Sequence, residues 1–101
     1  MSLQNRRPQR RVAPVSDLGR YLIALGRALR ERREQLSLTQ EAVSLLTGVP
    51  QRRIWEIEAG VGNPTARTLL RLVAGLGVPC SEIFARAEAL VEAVTPVADE
   101  E

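Results

Sequence analysis

Leu18, Leu22, Leu25, Leu29 and Leu36 recur at the spacing that lines up one side of a helix, which predicts α-helix over about 17–35. Ser16 is placed to cap its start, and Asp17 puts a negative charge in the first turn, where the helix dipole favours it. Thr39 opens a second helix that turns Ala42, Val43 and Leu46 inward and ends at Gly48. A third helix follows within a few residues, with Pro50 suited to a first helical position and Gly60 stopping it. After a "GVGNP" loop, Thr65 caps a fourth helix over 66–76 with Leu69, Leu70, Leu72, Val73 and Leu76 on its apolar face. Gly77 and Pro79 break it, and Ser81 caps a fifth helix running to about 94. There is no strand-like alternation and no repeat, so the expected fold is all-α, with five helices.

Two helices joined by so short a glycine-containing link form a helix-turn-helix. A chain of 101 residues is one domain. The expected division is a flexible basic arm over 1–15, the helical domain over 16–94 and a disordered acidic tail over 95–101.

Composition narrows the chemistry. Aromatics are 3%, so the core must come from Leu, Val, Ile and Ala. No apolar run approaches the length of a membrane span, and the arginine-rich start is unlike a signal peptide, which points to the cytoplasm. Cys80 is the single cysteine and reads as a small buried hydrophobe. With no His, no nucleophile–base pair, no glycine-rich phosphate loop and no metal cluster, neither an enzyme nor a cofactor is expected.

A net charge of +2 conceals an asymmetry. Residues 1–81 hold 13 arginines against 6 acids, a net of +7, whereas residues 82–101 hold 1 against 6, a net of −5. The basic part is where a polyanion would bind.

On the third helix, with Gln51 at zero, Trp55, Ala59, Arg52 and Glu56 fall at about 40°, 80°, 100° and 140°, opposite Ile57 and Ile54 at about 240° and 300°. A polar face opposite an apolar seam is also what any solvated surface helix shows. The helix N-terminus adds free N–H groups and a positive dipole end, and Arg and Gln suit guanine and adenine in the major groove. The short link, the basic arm and the charge asymmetry favour DNA over mere solvation.

Residues 25–84 resemble the Xre family of helix-turn-helix domains, the phage repressor and Cro type. The matching positions are Leu25-Gly26, Leu29-Arg30, Arg33, Leu38-Thr39-Gln40, Gly48-Val49, Ile54, Ile57-Glu58, Gly60, Asn63-Pro64, Thr68-Leu69-Leu70 and Leu76-Gly77-Val78. The resemblance implies a transcriptional regulator that binds double-stranded DNA, with 39–47 as the positioning helix and 50–59 as the recognition helix. It implies that Gln40 bonds a phosphate and braces a base-reading side chain. Gln51, Arg52 and Glu56 fall on base-facing positions, and Arg53, Asn63 and Thr65 lie near the backbone. It also implies a partly buried salt bridge between Arg33 and Glu58. Five positions depart from the pattern. Ser37 stands where glycine is usual, Val43-Ser44 replace a Leu-Ala pair, Leu45 replaces a polar residue, and Trp55 replaces a small polar one. Trp55 would lie against a thymine methyl or a sugar, or else pack on a neighbouring helix or subunit.

A single module buries only about 600–1,000 Å² on DNA, so tight binding calls for two copies. Leu90, Val91 and Val94 extend an apolar face on the fifth helix and are the expected homodimer seam, although that face can equally pack on helix 1. The operator of such a dimer, most simply a repressor, would be an inverted repeat. A HipB-like antitoxin that binds its operator and a toxin is the alternative, with Leu45 in its partner surface. A third class is an adaptor that binds protein rather than DNA. The arginines Arg6, Arg7, Arg10 and Arg11 either track a groove or remain solvated.

Overall fold

Capping chemistry divides the chain into its helices. In the computed structural model, which describes residues 17–94, these are α1 (Leu18–Gln35), α2 (Gln40–Thr47), α3 (Gln51–Ala59), α4 (Ala66–Leu76) and α5 (Cys80–Val91). No strand occurs among the described residues. Thr39 Oγ1 accepts from the Ala42 N–H at 3.0 Å, and Thr65 Oγ1 accepts from the Thr68 N–H at 3.1 Å. Gly48, Gly60 and Gly77 end their helices at φ of 79°, 75° and 72°, in the left-handed region that costs glycine little.

Some boundaries differ from the sequence expectation. Pro50 is the N-cap of α3 rather than its first residue. Pro79 is the N-cap of α5, so Ser81 lies inside the helix and caps nothing. The extended backbone at each proline makes the next residue the first helical one. Asp17 is the N-cap of α1 without a side-chain capping bond, and the expected cap Ser16 lies outside the described residues. The basic arm and the acidic tail lie outside them too.

Helix α1 is the spine. It packs chiefly on α5 and α3, while α2 packs on α4 and α3. Ala24, Leu25, Ala28 and Leu29 of α1 meet Val43, Val49, Ile54, Ile57, Leu72, Val73, Leu76, Ile83 and Ala87 in one core. Gly26 lets α1 and α3 touch backbone to backbone: a Cβ there would overlap Ile57 O and come within 2.7 Å of Glu58 O. Two arginines of α1 also close the C-termini of other helices. Arg32 Nε donates to Leu76 O at 2.9 Å, and Arg20 Nη2 donates to Val91 O at 3.1 Å. Each places a cation at the negative end of a helix dipole.

Packing corrects three expectations. Leu46 and Leu70 are exposed rather than inward, because α2 and α4 are covered along narrower stripes than their hydrophobic residues occupy. Val91 and Val94 are 7% and 3% exposed and belong to the intrachain core, with Leu90 half-buried against it. The long helix α1 runs beside α5 and already covers that seam, so Val91 and Val94 are not a free face for a second copy. Cys80 is a half-buried free thiol packed against the core.

Candidate nucleic-acid interface

The turn between α2 and α3 is pinned from within. Ser44 Oγ donates to Val49 O at 2.6 Å, Thr47 Oγ1 donates to Val43 O at 2.7 Å, and the Val49 N–H donates to Thr47 Oγ1 at 3.2 Å. Val49 itself is buried, so the link is fixed by both packing and polar bonds. Sequence reasoning noted Ser44 only as a departure from a pattern and passed over Thr47. Their signal is the short hydroxyl side chain near a helix end, which bonds local backbone groups.

With the turn fixed, α3 buries Ile54 and Ile57 and presents Gln51, Arg52, Arg53 and Trp55 to solvent. The division expected from the helical wheel is therefore present. The start of α3 carries no capping side chain and no acidic residue in its first turn, yet it bears Arg52 and Arg53. Two cations beside the positive end of a helix dipole are unfavourable alone and favourable against an anion. An open hollow of about 360 Å³ lies between this end and α4, lined by Pro50, Arg52, Arg53, Glu56 and Thr68.

A polar network ties α3 to α1 and α2. Arg33 Nε and Nη2 donate to Glu58 Oε2 and Oε1 at 2.7 and 2.9 Å, and Arg33 Nη1 donates to Leu38 O at 2.7 Å. Gln40 Nε2 donates to Glu58 Oε1 at 3.0 Å. Bonding to Glu58 holds the Arg33 guanidinium even more firmly protonated than usual. The Arg33–Glu58 pair stands as the resemblance implied, and Gln40 is joined to it, one amide N–H committed to Glu58. The carboxylate of Glu56 faces two arginines of its own helix, Arg53 Nε at 3.4 Å and Arg52 Nε at 3.6 Å. Asn63 is exposed in the loop after α3, and the Thr65 hydroxyl is used in capping α4. What Thr65 leaves toward solvent is the open first turn of that helix. Trp55 is 56% exposed, so among the described residues the neighbouring helices leave more than half of it in solvent.

Among the described residues, no group of His, Cys, Asp and Glu is arranged to hold a metal ion, and no single helix is long and apolar enough to cross a membrane. A family model described as helix-turn-helix matches residues 29–83. The fold is similar to that of the restriction-modification controller protein C.AhdI from Aeromonas hydrophila, with a TM-score of 0.60 and 29% identity over 61% of this chain and 94% of that one. An uncharacterized HTH-type transcriptional regulator of Haemophilus influenzae is 44% identical over 55 residues. That match spans 54% of this chain and 56% of the relative, little more than half of either protein. The chain belongs to the Xre-type helix-turn-helix family.

Proposed function

We propose that the protein is a sequence-specific, double-stranded DNA-binding transcriptional regulator that lays α3 in the major groove. The observation that carries this is the solvent-facing start of α3, where Gln51, Arg52 and Arg53 surround an uncapped helix N-terminus held rigidly by the pinned turn. In this reading Gln51 and Arg52 face base edges, and Trp55 supplies apolar contact in the groove. Gln40, Arg53, Asn63 and the first turn of α4 at Thr65 meet phosphates and set register. The arginines of residues 1–12 add phosphate contacts, so their removal shallows the salt dependence of binding.

The protein acts as a homodimer on an inverted repeat, as a repressor that occludes its promoter. Since α1 occupies Val91 and Val94, the second copy meets apolar side chains left in solvent, such as Phe84 and Leu70. The exposure of Leu45 and Leu46, 82% and 63%, favours a second reading in which the regulator also binds a protein partner, as an antitoxin binds a toxin.

Selection of bound duplexes from a random pool tests the main reading. The wild type enriches an inverted repeat, and Arg52→Ala loses preference at one base pair per half-site, worth about 1–3 kcal/mol. Failure to enrich any motif overturns it.

A further inference from the structure

Glu56 shares a helix face with the residues assigned to base and phosphate contacts, yet a carboxylate there opposes every phosphate of a duplex. Its surroundings explain why it can stay. Its two oxygens lie 3.4 Å from Arg53 Nε and 3.6 Å from Arg52 Nε. The Glu56 side chain is 29% exposed, against 89% for Arg52 and 47% for Arg53, so the acid is the anchored member of the three. The following loop backs it: the Val61 N–H donates to Glu56 O at 3.0 Å, and a Cβ at Gly62 would come 3.3 Å from the Glu56 Cβ.

Helix stability alone does not account for this arrangement. An arginine four residues before a glutamate is the weaker order for such a pair, and both arginines sit in the first turn, against the helix dipole. Glu56, one turn further on, instead offsets the charge of two cations whose own turn holds no acid.

We propose that Glu56 is a positioning residue that restrains Arg52 and Arg53 and lowers affinity for DNA of arbitrary sequence. Resting on the DNA-binding reading, this replaces the base-reading role that the resemblance implied for Glu56. On an arbitrary duplex the arginines meet phosphates only by leaving Glu56, whose charge repels the same phosphates. On the cognate site Arg52 meets a guanine edge from its restrained position, so the loss is smaller. Glu56 thus widens the gap between specific and non-specific binding.

Glu56→Gln keeps the shape and removes the charge. Two measurements compare it with wild type: arginine Nε–H relaxation by NMR without DNA, and salt-dependent binding to a selected and an unrelated duplex. In the variant, Arg52 and Arg53 Nε–H groups lose order. Binding to the unrelated duplex tightens at least several-fold, and its log K against log salt slope steepens by about 1, the value of one more phosphate contact. The selected duplex gains less, so the specificity ratio falls. Unchanged Nε–H order overturns the proposal. So does loss of preference at a single base pair with an unchanged slope, which marks Glu56 as a base contact. If the wild type selects no sequence, the DNA reading fails, and the relaxation data still decide the restraint.

Discussion

Arg33 of α1 grips Glu58 of α3 through both carboxylate oxygens, and the two side chains are 12% and 8% exposed. Gln40 of α2 bonds the same carboxylate, so one nearly buried anion joins the three helices that set the candidate interface. Taking a partner away leaves a charge with no compensation in a poorly hydrated place. Arg33→Met or Glu58→Leu should each cost about 3 kcal/mol in denaturant unfolding. The double replacement should cost less than the sum of the two, because it leaves no orphaned charge. Additive, sub-kilocalorie losses would show that water already screens the pair.

The contact at Gly26 predicts a steeper failure. A methyl group at this position overlaps Ile57 O and crowds Glu58 O, both backbone atoms that cannot rotate aside. Gly26→Ala must separate α1 from α3, and the expected loss is about 3 kcal/mol or more, the range of severe overpacking. Thermal unfolding checks it, since alanine would otherwise favour the helix by about 1 kcal/mol.

Ser37 ends α1 in the left-handed conformation, at φ of 58°. The Ser37 N–H donates to Glu34 O at 2.9 Å and the Leu38 N–H to Arg33 O at 3.1 Å, the bond pair of a Schellman motif. Serine pays a steric penalty that glycine does not, and Ser37→Gly should stabilise the protein by up to about 1 kcal/mol. A lowered melting temperature would mean that the serine side chain supplies compensating bonds.

Acid should weaken the link between α1 and α5. Glu31 accepts from Arg86 Nε at 2.8 Å and Nη2 at 3.1 Å, and this bonding holds its carboxyl below the ordinary value of 4.5. A group with a lowered folded value gives its full stabilisation above the unfolded value and loses it as pH falls through the folded one. The pair is exposed, so the effect is small and screened by salt. Wild type should melt slightly above Glu31→Gln at neutral pH, and the difference should vanish in acid. A difference that persists there would assign it to packing.

Local chemistry was legible in the sequence. Thr39, Thr65, Gly48, Gly60 and Gly77 announce helix ends because their effects act within a few residues, and the seam of Ile54 and Ile57 follows from helical period alone. Pro50 was read as a first helical residue and proved to be the cap, since a proline fits both, and the cap of α5 was read at Ser81, two residues beyond Pro79. The pairing of Arg33 with Glu58 followed from a resemblance, not from spacing, because no local rule joins residues so far apart in sequence.

Tertiary structure decided which apolar stripes find a partner. Periodicity put Leu46 and Leu70 on inward faces and offered Val91 and Val94 as a seam for a second copy or for helix 1. Packing buried Val91 and Val94 under α1 and left Leu46 and Leu70 in solvent. The pairs of Glu56 with Arg52 and Arg53, four and three residues apart in α3, are by contrast local and follow from helical spacing. The sequence by itself determined where helices begin and end, because those energies are local. What each helix face meets depends on contacts between distant segments, and only the folded chain brings them together.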